Sequence, residues 1–331
     1  MELFHLSRQL RWSMNPRLRQ GASTAGAADD SFNVVCRRAS MKSLTNKGRA
    51  VLAAASLAGA VAGGIPAAQA ATWSDAWVHA AYGTKFAEPG YSQDIAKRIL
   101  GFSYAGGDSW GTNFFNLDVL MSDASDPEAC AAGASSPFCA AAGAQELYAV
   151  YRRTWSYDQI SGNKIAWGPI NDVKLAFGVD YSAKNTTFAP RVRKLRIGPM
   201  VGLNVPGFAE VGLELYKESN HNGFSPYPQG GDVTFNTTYV LAADWGIPFG
   251  GGNFKWTGFF DHIGAKGFGT APETLLSTEV MYDVGKALYG APNKLWAGLQ
   301  YQYWRNKFGN PASSVPGAKA STPMIRMEYH F

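Results

Sequence analysis

Ionisable residues of both signs recur at every second position along several segments of the chain. They alternate with a largely apolar set, and the clearest members are Glu146, Tyr148, Arg152, Asp172, Lys174 and Asp180. Residues spaced by two lie on one face of a β-strand. One face would therefore carry groups that can form ion pairs or hydrogen-bond a polar solute, while aromatic members can stack on a flat solute ring.

We place the candidate solute-binding residues on this polar face of the strands. They are Phe86, Asp118, Glu146, Tyr148, Arg152, Asp172, Lys174, Asp180, Glu214 and Lys255. A second interpretation is structural, because charges of opposite sign that face each other inside a protein also pair with one another. The pattern thus predicts either a solute track or a plugged interior.

Evidence for catalysis is weaker. The segment Ser219-Asn220-His221-Asn222-Gly223 superficially resembles the Ser/His site of outer-membrane barrels that hydrolyse lipids, but Ser precedes His here, and we place the segment in a polar loop. His79, His262 and His330 stand singly on predicted strands, without a neighbouring Ser or carboxylate motif. Phosphate-binding glycine loops, metal motifs and helical cofactor boxes are absent, so we expect no enzyme and no cofactor.

The elements that must position these residues are strands. Turn residues divide the chain into twelve of them, at 76–86, 94–105, 112–122, 145–157, 171–182, 194–203, 208–218, 232–245, 253–263, 274–285, 294–307 and 322–331. One face of each is charged or Gly, and the other is apolar with aromatic residues at its ends. This pattern is typical of an all-β, transmembrane, antiparallel up-and-down β-barrel with its polar face towards the lumen.

The connections support the same architecture. Those after odd-numbered strands include 123–144, 183–193, 219–231 and 308–321, and those after even-numbered strands include 106–111, 204–207 and 246–252. Long and short connections alternate, as in barrels with long extracellular loops and short periplasmic turns, although 158–170 is longer than this rule expects. An even strand number places both termini on the periplasmic side.

The last strand alternates apolar with polar residues and stops on an aromatic one, Phe331. A terminal Phe on such a strand resembles the closing strand of bacterial outer-membrane barrels, where it is an assembly signal. The assembly machinery and outer-membrane lipid are therefore expected partners. In a closed barrel this strand must pair with the first one, which ends at Phe86.

The amino-terminal region predicts export. From Met41 a basic segment is followed by an apolar run over 50–62 and an Ala68-Gln69-Ala70 cleavage site, as in a signal peptide over 41–70. The barrel would occupy 71–331, and 1–40 would be a mis-called or disordered extension. We therefore expect an outer-membrane location.

The charge of the chain follows from the same division. The full chain carries +5. Residues 1–70 hold nine basic and three acidic residues, so their removal leaves −1. The overall basicity therefore indicates no nucleic-acid partner. Cys130 and Cys139 lie in one Ala/Gly-rich loop, where a close pair in an oxidising compartment predicts a disulfide.

The order of segments resembles that of the Tsx-like nucleoside-specific channel-forming proteins. The shared features are the opening strand Trp77–Phe86, the strands 114–123 and 146–157, the dipeptide Gly168-Pro169, and Gly250-Gly-Gly-Asn253. The resemblance implies a twelve-stranded channel in which aromatic and ionisable residues line weak nucleoside sites, and of those residues we carry over Phe86. The Cys130/Cys139 loop and the second strand depart from the family pattern.

Strand number sets the width of a barrel, and twelve strands predict a narrow lumen. We expect passive uptake of small polar solutes, with nucleosides as the most specific candidate. The alternatives are a lipid-modifying barrel enzyme and a plugged structural or adhesive barrel.

Overall fold

The structure, a computed structural model, describes residues 71–129, 143–186, 189–221 and 231–331. The segments 1–40 and 41–70 and the residues Cys130 and Cys139 lie outside this part of the chain, so the predicted extension, signal peptide and disulfide stay predictions. The strands are β1 Trp73–Phe86, β2 Ile95–Asp108, β3 Gly111–Ser122, β4 Gln145–Ser156, β5 Ile170–Lys184, β6 Arg191–Leu203, β7 Phe208–His221, β8 Asp232–Thr234, β9 Thr238–Phe249, β10 Phe254–Ile263, β11 Glu273–Asp283, β12 Leu295–Arg305 and β13 Lys319–His330.

These strands form one closed antiparallel sheet. Each pairs with its neighbour in sequence, and the sheet closes where β1 pairs with β13, in a register that sets Trp77 opposite His330 and Gly83 opposite Met324. The short β8 and the longer β9 both pair with β7 and occupy a single position in the wall. The wall therefore has twelve positions, and the predicted twelve-stranded barrel is confirmed.

Several predicted strand boundaries differ from the observed ones by a few residues, and two of the differences change the description of the wall. The eighth strand is interrupted at 235–237, which separates β8 from β9. The seventh strand does not end at 218, because the pairs Arg193–Ser219, Val192–Asn220 and Arg191–His221 extend it by three residues. Ser219 and His221 thus lie on a strand and not in a loop. Pairing with a neighbouring strand stabilises this polar segment, and no local sequence pattern reports it.

The two faces of the wall differ in polarity. Every second side chain points into the barrel, and the outward set is apolar and accessible, with Leu299 at 69 % exposure and Ile325 at 62 %. Contiguous apolar surface of this extent is rare on water-soluble monomers. Within the described residues, no helix is long and apolar enough to span a bilayer.

The barrel has two distinct ends. We call the one that holds the start of β1 and residue Phe331 the terminal end, and the opposite one the long-loop end. The long-loop end has the connections 87–94, 123–144, 185–190, 222–231, 264–272 and 306–318, and the terminal end has 109–110, 157–169, 204–207, 250–253 and 284–294. Aromatic side chains mark the outer wall near both ends, with Tyr282 and Tyr329 at the terminal end and Tyr181 and Tyr239 at the other.

Two connections at the terminal end are longer than the alternation rule predicts, because each contains a helix. Helix α1, Tyr157–Ser161, begins after Ser156, whose hydroxyl accepts a hydrogen bond from the Gln159 amide. Helix α2, Val284–Tyr289, is capped in the same way by Asp283. Both end at a glycine in the left-handed region, a conformation that glycine adopts without strain. Capped helices therefore fold these connections compactly.

Candidate functional site

The interior of the barrel is crossed by ion pairs between strands that are not neighbours in the sheet. Lys255 on β10 lies 2.5 Å from Glu328 on β13, and Arg196 on β6 lies 3.0 Å from Asp261 on β10. Such contacts can be made only through the lumen, so they identify the inward face of each strand. All ten candidate residues from the sequence lie on the inward face, nine of them through the alternation and Phe86 through a bulge between Gly83 and Phe86. Their role in binding a solute stays a prediction.

Asp180 is the centre of one lumen cluster. Its carboxylate accepts hydrogen bonds from Arg152 at 2.5 Å and from the Tyr148 hydroxyl at 2.9 Å, and Lys194 lies 3.8 Å away. Gly178 makes this possible, because a Cβ there would lie 2.8 Å from the Arg152 side chain. Three candidate residues from two adjacent strands are thus joined in one network.

The other candidate residues are distributed around the wall. Glu214 accepts two hydrogen bonds from Arg196, at 2.6 and 2.9 Å. Lys174 pairs with Glu210 and lies 3.8 Å from Asp172. The structure therefore does not bring the ten residues into one pocket. It arranges them as a lining in which most charges have a partner.

At the long-loop end, a buried charge cluster is built partly from connections. Lys97 and Lys307 each lie 2.9 Å from Glu88, while Lys184 pairs with Glu128 and lies 3.5 Å from Glu146. These residues, with Asp126, form what we call the mouth cluster. Burial raises the pKa of Glu88, but the nearby ammonium groups of Lys307 and Lys97 outweigh that effect and hold this pKa well below its usual range.

Glu128 behaves in the opposite way. Burial raises its pKa to about 7, although Lys184 opposes the shift. The carboxylate oxygens of Glu88, Asp126 and Glu128 all lie within 4.8 Å of one another, which is close enough to share a cation. The ammonium groups of Lys97 and Lys184 already contact these carboxylates, so the cluster is balanced mainly by protein cations.

Phe86 lies beside the mouth cluster in an apolar group. Its side chain packs with Ala81, Ile95, Ile99 and Met324, and the residue is 5 % exposed. The ammonium group of Lys97 lies 5.8 Å from the centre of its ring. The ring therefore forms part of the inner wall at the mouth and is held by packing.

A second group of buried charges lies at the long-loop end, on other strands than the mouth cluster. Lys266, from the connection 264–272, donates to Glu218 at 2.7 Å and lies 3.5 Å from Glu273. All three side chains are almost inaccessible. The sequence does not mark Lys266, Glu88 or Lys307 as interior residues, because connections have no periodicity that assigns a side chain to the inside.

The single histidines have partners from neighbouring strands. His79 Nε2 lies 2.8 Å from Asp118, and the two residues reach each other past Gly101, where a Cβ would lie 2.3 Å from the His79 ring. The expectation that His79 has no carboxylate neighbour was therefore wrong. Ser103 lies 3.5 Å from the other ring nitrogen, but its buried hydroxyl donates to Asn116 at 2.7 Å. This arrangement positions His79 and offers no accessible nucleophile.

His330 and His262 also have polar neighbours. His330 Nδ1 lies 2.8 Å from Asp75, on the first strand, and its ring stacks on Trp77 at 5.2 Å. His262 points outwards and lies 3.0 Å from the Thr274 hydroxyl. Only the register between strands, which the sequence does not state, creates these contacts.

Side chains do not fill the lumen completely. Asp118 and Arg152 lie centrally on their strands and point inwards, yet 25 % and 26 % of their side-chain surfaces remain accessible. Because the wall is closed, this accessible surface lies inside the barrel. The lumen therefore retains space between its ion pairs.

On the outside of the barrel, near the long-loop end, Ser219 and His221 share the outward face of β7. His221 Nδ1 lies 2.6 Å from Asp232 on β8. The other ring nitrogen, Nε2, takes no part in this contact. Among the described residues, no hydrogen bond joins Ser219 to His221. The group has the residue types of a hydrolytic triad without its complete geometry.

Comparisons with known proteins gave structural matches only. No protein-family model matches the chain, and no curated protein matches it in sequence. The KdgM porin in complex with disordered oligogalacturonate matches at 10 % identity and a TM-score of 0.38, over 78 % of this chain and 99 % of that one. The translocator domain of the autotransporter NalP from Neisseria meningitidis matches at 13 % identity and 0.38, over 86 % and 98 %.

A third match is to the CymD monoaromatic hydrocarbon channel, at 9 % identity and a TM-score of 0.26, over 77 % of this chain and 88 % of that one. The matched proteins thus include a porin, a channel and a translocator domain. What this chain itself displays is a closed, antiparallel twelve-stranded barrel with a charged lumen and an apolar outer wall.

Proposed function

We propose that the barrel lies in the outer membrane and is a passive channel for small polar solutes. The accessible surface of Asp118 and Arg152 inside the closed wall carries this proposal, because it is the space that a solute would use. The apolar outer wall with aromatic residues near both ends supports the membrane location. The long-loop end would face outwards and the terminal end the periplasm.

The ion pairs that cross the lumen limit the solute to a small one. The Arg196–Asp261 and Lys255–Glu328 contacts divide the cross-section of the barrel. A plugged structural barrel is the rival, and planar-bilayer conductance of the 71–331 protein distinguishes the two. A channel gives discrete conductance steps, whereas a plugged barrel gives none.

Nucleosides are the specific solutes that we propose. The resemblance to Tsx-like channels motivates this proposal, and the lumen offers suitable groups. Trp77 and Phe114, with ring centres 6.4 Å apart, form an aromatic group near the terminal end. Aromatic faces stack on bases of any sequence, and the lumen carboxylates can accept hydrogen bonds from ribose hydroxyls.

The role of Phe86 can be tested by Phe86→Ala. Stacking on a base contributes about 1–3 kcal/mol, so loss of the ring should weaken block of the conductance by adenosine or thymidine at least about fivefold. The measurement is nucleoside titration of single-channel current. Ile95→Ala is the matched control, because it removes a fully buried side chain from the same apolar group without removing a ring. Equal block of Phe86→Ala and the unchanged protein would remove Phe86 from the site.

A second candidate function is ester hydrolysis on the outer wall, which the contact between His221 and Asp232 favours. It predicts fatty-acid release from phospholipid by the purified barrel, decreased at least about a thousandfold by Ser219→Ala. Thr234→Ala removes a hydroxyl opposite Ser219 on the same face and should leave the rate unchanged. Absence of release by the unchanged protein would eliminate this candidate and leave the channel unaffected.

A further inference from the structure

Basic residues on the outer wall near the long-loop end lack acidic partners. Six such residues point outwards there: Arg98, Arg191, Arg193, Lys217, Arg305 and Lys319. In the part of the chain that the structure describes, none of the six forms an ion pair, whereas every basic residue on the inward face does. The segments 130–142, 187–188 and 222–230 contain no Asp or Glu that could supply a partner.

Arg305 and Lys319 are the most informative of the six. They lie directly opposite each other on β12 and β13, and both are exposed. Like charges directly opposite on a sheet destabilise it. An anion bound between them would convert this repulsion into attraction. The Lys319 ammonium also lies 5.9 Å from the Tyr303 ring centre, beside the aromatic part of the wall.

Arg193 is held in a similar setting. Its guanidinium stacks on Tyr181 at 3.8 Å and donates to the Ser182 carbonyl at 2.7 Å, which leaves further donors free. The terminal end differs, because its outward-facing Arg153 is paired with Asp108 at 2.7 Å. Among the described basic residues that lie on strands and point outwards, those without an ion pair are therefore confined to the rim at the long-loop end.

We propose that this rim binds phosphate groups of lipid headgroups, and that Arg305 and Lys319 together hold a phosphomonoester. The inference rests on the membrane location given with the proposed function. Arg donates to phosphate oxygens through two parallel hydrogen bonds, and Lys adds a compact positive charge. Aromatic girdles lie at the level of lipid headgroups, so a cation beside them meets phosphate there.

Binding of diphosphoryl lipid A to the purified barrel in neutral detergent tests the proposal. We expect saturable binding, followed by tryptophan fluorescence, that the double variant Arg305→Gln/Lys319→Gln weakens at least about tenfold. Lys164→Gln/Lys294→Gln is the matched control, because it removes two exposed charges at the terminal end and should leave affinity unchanged. Retention of the heat-dependent gel shift verifies that each variant is folded, and Lys319→Gln alone replaces the double variant if that one does not fold.

Three results would overturn the proposal. Equal binding of dephosphorylated lipid A would show that phosphate is not recognised. Competition by inorganic phosphate at equal concentration would show a site for free phosphate, not for lipid. An equal loss in the terminal-end control would indicate general electrostatic attraction. Conductance is measured separately on the same preparations, so a barrel that binds lipid without conducting would contradict the channel alone.

Discussion

Replacing both Asp118 and Asp244 by Asn should strongly lower the preference of the channel for cations over anions. Acidic groups outnumber basic ones on the described inward face, so we expect the unchanged channel to favour cations. Within the described residues, the Asp118 carboxylate forms an ion pair with His79 alone, and Asp244 forms none. Asp244 also faces Glu210, another acidic residue, directly across β7 and β9.

The expected size of the effect follows from Coulomb's law. A unit charge acts on an ion 4 Å away with about 1 kcal/mol in water, and with more in a narrow lumen. Neutralising two carboxylates should therefore lower the cation-to-anion permeability ratio at least about fivefold. The measurement is the reversal potential in a KCl gradient. Asn keeps the shape of Asp, so the lumen width is preserved.

The matched control is Asp94→Asn, which makes the same change on an exposed residue of the 87–94 connection. It should leave the reversal potential close to that of the unchanged protein. An unaltered potential in the Asp118→Asn/Asp244→Asn variant would mean that ions do not pass these residues. The proposed path through the centre of the lumen would then be wrong.

Lys266→Met should destabilise the barrel by about 3–5 kcal/mol, because removing one partner of a buried ion pair leaves an uncompensated buried charge. Here two carboxylates, those of Glu218 and Glu273, would lose their shared cation. The Lys266 ammonium also lies 4.8 Å from the Phe235 ring centre, so this contact is lost as well. The measurement is urea unfolding of the lipid-reconstituted barrel, followed by tryptophan fluorescence.

The exposed Lys164→Met is the control, and it should change the free energy of unfolding by less than about 0.5 kcal/mol. Adding Glu218→Gln and Glu273→Gln to Lys266→Met should restore part of the loss, because the buried charge is then removed. If Lys266→Met were as stable as the control, the charge group would be hydrated in solution and not buried.

The strands were predictable from the sequence because their period of two is a local property. Each residue of a strand such as β13 is assigned to a face by its neighbours alone, and the inward position of Arg326 follows. The same pattern placed nine of the ten candidate residues on the lumen side, whereas Phe86 reaches it through the bulge between Gly83 and Phe86. The fold class and the lining could therefore be predicted from single segments.

The partners of the lining residues could not be predicted in this way. His79 meets Asp118 across an intervening strand, and Arg196 meets Asp261 across the lumen, so both contacts depend on register and curvature. The connections pose a related difficulty. Glu88 and Lys266 lie in segments without regular alternation, so no sequence pattern marks them as buried. The end of β7 at His221 likewise depends on pairing with Arg191 and not on its own polar sequence.

The pairing of β1 with β13 has a consequence for the chain while it is being made. A sheet exposes unpaired backbone groups at any open edge, and such edges pair readily with other chains. In this barrel the last strand covers both remaining edges, those of β1 and β12, and the Phe331 amide adds a final hydrogen bond to Ala76 at 3.0 Å. A chain without β13 would leave both edges open to aggregation, so the sheet is protected only once β13 has paired with β1 and β12.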